Sequence, residues 1–262
     1  MTDRTPHLFV RDLSLSFAGL KALKDVTFSV PPASIFGLIG PNGAGKTTLL
    51  NCLTRIYTPN TGSIMFGETR VLDQPLHAMS SLGIARTFQN LELFGVETAL
   101  DNVLIGALSN TPVSSIADLL GLPSARKALR DARERAHAAL ALMGIAEVAD
   151  RTVATLAYGV QKRVELARAL VTEPRLLLLD EPAAGLNPDE TKALADVLRD
   201  LRDTKKITII LVEHDMSLVM NVCDELLVLD HGEVITQDVP AVVRKNPKVI
   251  MAYLGEEDSD AA

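Results

Sequence analysis

Gly40-Pro41-Asn42-Gly43-Ala44-Gly45-Lys46-Thr47-Thr48 has the pattern G-x-x-x-x-G-K-[ST] of a phosphate-binding loop. The apolar run Ile35–Ile39 before it is typical of a buried strand, and Thr48–Leu53 after it is typical of a helix start. Glycines let successive backbone N–H groups turn towards phosphate oxygens, and the positive end of the helix dipole strengthens that field. We therefore predict a nucleoside triphosphate site, with Lys46 at the outer phosphates and the Thr47 hydroxyl on Mg²⁺.

A second strong motif is Arg175–Glu181, with the sequence RLLLLDE. Its four leucines predict a strand buried on both faces, which is typical of a parallel sheet. The carboxyl end of such a strand is where open α/β sheets bind their ligands. We expect Asp180 to lie in the Mg²⁺ shell opposite Thr47, and Glu181 to polarise a water molecule for attack on the γ-phosphate.

Two further segments are predicted to reach the same edge of the sheet. Ile207–Val212 is an apolar strand followed closely by His214, whose ring could contact the γ-phosphate. A structural histidine at a strand end is the common alternative. Asn187 and Glu190 have the spacing of a capping box, which predicts a helix start just after the acidic strand.

The N-terminal segment predicts an antiparallel flap beside the phosphate loop. Leu13, Leu15 and Phe17 alternate with serines, and the alternation resumes at Val26–Val30. Phe17 ends the first of these strands. From the residues alone, its ring either stacks on a purine or belongs to the core.

The middle of the chain changes from strands to helices and loops. Residues 109–123 contain two prolines and a glycine and predict a loop, and Ser124–Met143 predicts a long helix that ends at Gly144. Near the C-terminus, Asn246-Pro247 predicts the start of a last helix. The final EEDSDAA is typical of a disordered acidic tail.

Composition narrows the possible partners. The chain has 262 residues with 47% hydrophobic content, which is ample for one large domain. A net charge of −7, no basic run and no tryptophan argue against nucleic-acid binding.

No apolar segment resembles a signal peptide or approaches the ~18–20 residues that cross a bilayer, so we expect a soluble protein. Cys52 and Cys223 lack metal-site spacing and predict two reduced thiols.

The order of the motifs resembles that of the ATP-binding-cassette (ABC) ATPases. Leu156-Ala157-Tyr158-Gly159-Val160 alone indicates only a helix N-terminus with a glycine. In sequence with the phosphate loop, Gln89, the acidic strand and His214, it resembles the signature of that superfamily. The strings GIARTFQNLELF, LAYGVQKRVELARAL, EPAAGLNP, VEHDM and NPKVIMAYLG look like the branched-chain amino acid uptake subgroup.

The resemblance implies an α/β fold, namely a P-loop NTPase of ABC type. Its parts would be a RecA-like core, an antiparallel β flap and an inserted α-helical subdomain. We predict one ABC ATPase domain over residues 1–255, with the helical subdomain at about 90–157 and the disordered tail at 256–262.

The resemblance also implies roles for individual residues. The catalytic residues would be Glu181, His214 and Lys46, and Phe17 would stack on adenine. The implied ATP contacts are Phe17, Gly40, Pro41, Asn42, Gly43, Ala44, Gly45, Lys46, Thr47 and Thr48. The implied metal ligands are Thr47, Gln89 and Asp180. The signature that the chain would contribute to the opposite site is Leu156, Ala157, Tyr158, Gly159 and Val160, and the implied D-loop is Ala184, Gly185, Leu186 and Asn187.

The implied cofactors are ATP and Mg²⁺, and the implied partners are other transporter subunits. Two ATPase subunits, identical or merely related, would sandwich ATP head to tail. Closure would drive two transmembrane permease subunits, with an extracytoplasmic substrate-binding protein acting indirectly. Gln89 and the helical segment after it would transmit this closing motion to the permease subunits. The expected location is cytoplasmic, peripheral on the inner face of the cell membrane.

The signature departs from the usual L-S-G-G-Q at three positions. Ala157 lacks the serine hydroxyl, whose charge-assisted hydrogen bond to γ-phosphate is worth about 1.5–3 kcal/mol. Tyr158 replaces a glycine, and Val160 stands where the subgroup ordinarily keeps glutamine. Gly159 and the following N–H groups remain at a helix N-terminus, so we expect the composite site to work.

Other functions stay open at this stage. An importer of urea, short amides or other amino acids would use the same ATPase. An ABC ATPase of ribosomes or DNA usually carries two cassettes or a long coiled coil, which this sequence lacks. A non-hydrolysing regulator would be expected to lack Glu181 or His214, and both are present.

Overall fold

The apolar runs of the sequence become the central strands of a mixed α/β fold. The computed structural model describes residues 7–109 and 123–257. Its strands are β1 (Leu8–Phe17), β2 (Leu20–Val30), β3 (Ile35–Ile39), β4 (Thr61–Phe66), β5 (Thr69–Arg70), β6 (Ile84–Arg86), β7 (Leu176–Asp180), β8 (Thr208–Val212), β9 (Glu225–Asp230) and β10 (Glu233–Asp238). Its α-helices are α1 (Lys46–Leu53), α2 (Ala99–Ser109), α3 (Pro123–Leu142), α4 (Tyr158–Leu170), α5 (Pro188–Asp203), α6 (Met216–Val222), α7 (Pro240–Val243) and α8 (Pro247–Glu257).

Within the described residues these strands form two sheets. The larger has six strands in the order β10-β9-β3-β8-β7-β6, and the smaller has four in the order β2-β1-β4-β5. In the larger sheet β3, β6, β7, β8 and β9 run parallel, while β10 returns as an antiparallel hairpin. The smaller sheet is antiparallel, as predicted for the flap.

The central strands contribute to two hydrophobic cores because successive side chains point to opposite faces. In β7, Leu177 and Leu179 pack among the helices, whereas Leu176 and Leu178 pack towards the flap and α1. All four are fully buried. A strand buried on both faces needs apolar residues at every position, which explains the run of leucines.

The flap lies against the phosphate loop that joins β3 to α1. Gly45, the N-cap of α1, has a φ of 102°, a conformation that favours glycine. A Cβ at this position would lie 2.7 Å from the carbonyl oxygen of Ala22 in β2. The glycine therefore permits both the turn and the close approach of the flap.

Local predictions for the helices are mostly confirmed. Asn187 and Glu190 form the predicted capping box, with hydrogen bonds of 2.9 and 3.0 Å between side chains and backbone N–H groups. Gly144 follows α3 with a φ of 67°. The loop predicted at 109–123 lies almost wholly outside the described residues.

The C-terminal helix differs from the prediction. Helix α8 extends to Glu257, into the first two residues of the predicted disordered tail, and residues 258–262 lie outside the described part of the chain. Among the helices that the structure describes, none combines the length and apolar character that a membrane span requires.

Candidate nucleotide-binding site

The phosphate loop lines a cleft of about 680 Å³ at the carboxyl ends of the parallel strands. The cleft brings Asn42–Thr48 together with Gln89, Glu181 and His214, which are far apart in sequence. Three of the residues predicted to bind ATP or Mg²⁺ are buried and do not line the cleft: Gly40, Pro41 and Asp180. The cleft is also lined by residues that the sequence reasoning missed, which are Leu20, Lys21, Ala22, Lys24 and His231.

Lys46 lies at the base of the loop with only 7% of its surface exposed. Its Nζ donates hydrogen bonds to the carbonyl oxygens of Gly40 (2.5 Å) and Pro41 (2.8 Å). The loop carbonyls thus fix the position of the ammonium group. A fixed positive charge beside inward-turning N–H groups is complementary to a phosphate.

Glu181 is the centre of a hydrogen-bonded group at the edge of the cleft. Its Oε2 accepts a hydrogen bond from Nε2 of Gln89 at 2.9 Å, and its Oε1 lies 2.9 Å from Nε2 of His214. These residues follow β7, β6 and β8, so the sheet order brings them together. A carboxylate held in this way beside a phosphate loop can act as a general base.

Asp180 forms a buried ion pair that the sequence did not predict. Its Oδ2 accepts a hydrogen bond from Nη2 of Arg86 at 2.9 Å, and the two side chains are 4% and 6% exposed. Nη1 of Arg86 donates to Oδ1 of Asn51 in α1 at 2.6 Å. The guanidinium therefore connects the end of β7 to the helix that follows the phosphate loop.

The oxygen donors predicted for the metal site are of the kind that Mg²⁺ binds. No cluster of three or more histidine, cysteine or acidic side chains suited to a metal ion occurs in residues 7–109 and 123–257. Thr47 and Gln89, which line the cleft, offer a hydroxyl and an amide oxygen, and the buried Asp180 offers a carboxylate whose Oδ2 is paired with Arg86. Mg²⁺ typically uses one or two carboxylates together with substrate phosphates.

Phe17 lies at the end of β1 and is 43% exposed, so the alternative of a core phenylalanine is wrong. Its ring meets the ring of Tyr57 edge to face, with 5.1 Å between the centroids. Phe17 does not line the cleft, and stacking on adenine stays a prediction.

Comparison with known proteins identifies the family. A family model for ABC transporters matches residues 23–184, which run from the flap through the acidic strand. This chain belongs to the ABC transporter family. A second model, for the branched-chain amino acid ATP-binding cassette transporter, matches residues 233–259. The predicted family and fold class are confirmed, and this ABC protein is an ATPase.

Relatives and solved structures cover the whole cassette. The high-affinity branched-chain amino acid transport ATP-binding protein LivG of Escherichia coli (strain K12) is 43% identical over 251 residues, covering 96% of this chain and 98% of the relative. BraF of Pseudomonas aeruginosa, with the same description, is 42% identical over 96% of this chain and 98% of its own length. A nucleotide-free cassette from an ABC transporter has a TM-score of 0.83 at 29% identity, covering 95% of this chain and 99% of that one. The ADP conformation of the cassette MJ1267 has a TM-score of 0.83 at 29% identity, with coverages of 96% and 99%.

The predicted signature of this ABC ATPase lies apart from its own cleft. None of the residues 156–160 lines the cleft, and Tyr158 is 43% exposed. The Tyr158 ring packs on the predicted D-loop, because a Cβ at Gly185 would lie 2.8 Å from its Cε1 atom. The signature and the D-loop are therefore neighbours within one chain.

Helix α4, which begins in the signature, holds the segment that carries Gln89. Nζ of Lys162 donates to the carbonyl oxygen of Gln89 at 3.3 Å, and Arg168 donates to that of Glu92. Glu165 lies between these two cations on the helix. Burial raises the pKa of the Glu165 carboxyl, while Lys162 and Arg168 lower it. The contacts connect the signature helix directly to the edge of the cleft.

We expect the substitution Arg86→Met to lower the free energy of unfolding by about 3–5 kcal/mol, because it leaves the Asp180 carboxylate buried without its partner. Arg202→Met is the matched control. It removes two ion pairs, to Asp203 at 2.8 Å and to Asp224 at 2.9 Å, whose carboxylate side chains are 60% and 44% exposed, and it should cost much less than the loss of the buried pair. Urea unfolding of both variants measures the difference. Equally small decreases in the free energy of unfolding would contradict the structural role of the buried pair.

Arg86 and Glu213 are two residues with buried polar side chains near the cleft that the sequence reasoning also missed. An arginine inside a short strand was a usable signal, since a buried charge needs a partner. Glu213 follows the apolar strand β8 and is 4% exposed. Its position beside Glu181 depends on strand register, which the sequence does not give.

Proposed function

We propose that this ABC ATPase powers a membrane importer of branched-chain amino acids. The observation that carries the substrate class is the match at residues 233–259, which lies outside the general cassette match at 23–184. Relatives named for branched-chain amino acid transport, aligned over nearly their whole length, support the same class. The proposed domain is residues 1–255, with a helical subdomain at about 90–157.

The proposed reaction is hydrolysis of ATP in the cleft. Lys46 and the N–H groups of the loop would hold the phosphates, and Glu181 would accept a proton from the attacking water. Gln89 and His214, each 2.9 Å from the Glu181 carboxylate, would orient it and reach towards the γ-phosphate. Thr47, Gln89 and Asp180 would hold Mg²⁺, which neutralises charge on the β- and γ-phosphates.

A second ATPase subunit is proposed to complete each site. Residues 156–160 do not line the chain's own cleft, and their exposed tyrosine supports a role at the cleft of another subunit. The N–H groups at the start of α4 would then face the γ-phosphate. Both an identical and a related partner fit this arrangement.

A groove beside the Gln89 segment is the proposed docking surface for a permease subunit. The groove has a volume of about 340 Å³. Ile56, Leu76 and Phe88 contribute apolar surface that is 41%, 57% and 40% exposed. Exposed apolar grooves of this kind bind partner helices. Docking there would hold the ATPase at the inner face of the membrane, next to Gln89.

Affinity purification of the tagged chain from its native membranes tests the assembly. We expect two polytopic permeases and one or more ABC ATPase subunits in the mass spectrum of the eluate. A Leu76→Asp variant should lose the permeases, whereas a control change at an exposed residue that does not line the groove, Lys205→Asp, should keep them. Ribosomal or DNA-repair proteins without a permease would overturn the transport proposal.

Uptake of radiolabelled leucine tests the substrate class. Cells that lack the gene should regain uptake with the wild-type chain and not with Glu181→Gln. Restored uptake of urea, an amide or another amino acid, with leucine uptake unchanged, would reject the branched-chain assignment and leave the importer standing.

A further inference from the structure

Glu213 is a buried carboxylate that none of the proposed roles uses. Its Oε1 accepts a hydrogen bond from the backbone N–H of Ala183 at 2.6 Å. Its Oε2 accepts one from the backbone N–H of His214 at 3.1 Å. One side chain therefore joins the turn after β7 to the turn after β8.

Parallel register brings this side chain next to Glu181. Asp180 pairs with Val212, so Glu181 and Glu213 are the next residues on neighbouring strands. Glu181 has a φ of 50°, which is rare for a residue with a side chain. Such a conformation persists when its surroundings fix it. Here the N–H of Glu181 bonds to the carbonyl of Val212 at 2.9 Å, and the N–H of Ala183 bonds to Glu213.

Backbone N–H groups rather than cations compensate the burial of Glu213. Burial raises the pKa of its carboxyl, and the hydrogen bonds from Ala183, Asp215 and His214 lower it. Among the described residues, no lysine or arginine forms an ion pair with Glu213. A carboxylate that costs free energy to bury, yet serves only to bond two turns, indicates a role in the geometry of those turns.

We propose that Glu213 is a positioning residue for ATP hydrolysis, which fixes the orientation of the Glu181 carboxylate. It acts on Glu181 through the turn that ends at Ala183, and through His214, whose ring meets the same carboxylate at 2.9 Å. This inference rests on the proposed role of Glu181 as the general base. It adds a residue that lies behind the cleft and touches no reacting atom.

Glu213→Gln is the direct test. Its amide oxygen can accept from one of the two N–H groups, but its NH₂ group then faces the other donor. We expect kcat to fall about 10- to 100-fold, because small displacements of a catalytic group have effects of this size. The KM for ATP should stay within about threefold, because the phosphate loop carries binding. Glu213→Asp, which keeps the charge and shortens the side chain, should lower kcat in the same way.

A double-mutant cycle separates positioning from general damage. In a Glu181→Gln background, measured in single turnovers, Glu213→Gln should lower the rate by less than about threefold, because its effect passes through Glu181. The matched control is Asp215→Asn. Its carboxylate also accepts two backbone N–H bonds, from Ser217 and Leu218, but these belong to α6, and kcat should not change.

Three outcomes would overturn the inference. They are wild-type kcat in both Glu213 variants, an equal loss in both backgrounds of the cycle, and a loss of ATP binding equal to the loss of kcat. If Glu181→Gln is inactive while the Glu213 variants are normal, only this inference fails. Near-normal turnover by Glu181→Gln alone would reject the proposed base and this inference together.

Discussion

Glu181→Gln is expected to bind ATP as tightly as the wild-type chain and to lose turnover by roughly 10²–10⁴-fold, the usual contribution of a general base. Glutamine has the same shape and keeps contact with Gln89 and His214, but its amide cannot accept a proton from water. Binding persists because Lys46 and the loop N–H groups remain in place. Equilibrium binding of a fluorescent ATP analogue, together with steady-state phosphate release, measures the two effects separately.

Glu225→Gln is the control for this experiment. Glu225 lies at the amino end of β9, on the edge of the sheet opposite the cleft, and its Oε2 accepts a hydrogen bond from Gln237 at 3.0 Å. The control should keep full turnover. Hydrolysis near the wild-type rate in the Glu181→Gln variant would show that Glu181 is not the general base.

Lys46→Met is expected to weaken ATP binding by at least about 100-fold. The ammonium group would form charge-assisted hydrogen bonds to phosphate oxygens, each worth about 1.5–3 kcal/mol, and each 1.4 kcal/mol corresponds to about a tenfold change in affinity. Methionine has a similar length and cannot donate. Isothermal titration calorimetry with ATP measures the loss directly.

A lysine outside the cleft provides the comparison for Lys46. Lys205 is exposed and comes shortly before β8, at the amino edge of the sheet, so Lys205→Met should bind ATP normally. The melting temperature of each variant without nucleotide shows whether the fold is intact. Tight ATP binding by a folded Lys46→Met chain would show that the phosphates bind elsewhere.

The sequence alone determined the elements whose signals are local. The glycine and lysine spacing of the phosphate loop, the leucine run of β7 and the capping box at Asn187 each depend on neighbouring residues, and each predicted its element. The order of these motifs was enough to predict the family. Local patterns suffice here because strand burial, helix capping and loop curvature are set within a few residues.

Only the tertiary structure decided which polar groups meet. The ion pair between Arg86 and Asp180 joins residues 94 positions apart, and the bond from Ala183 to Glu213 requires the register of β7 against β8. The order β6-β7-β8 is formed by long crossovers, so no periodicity within one strand reveals its neighbour. The sequence therefore supplied the chemical groups of the site, and strand order and register supplied the distances at which they act.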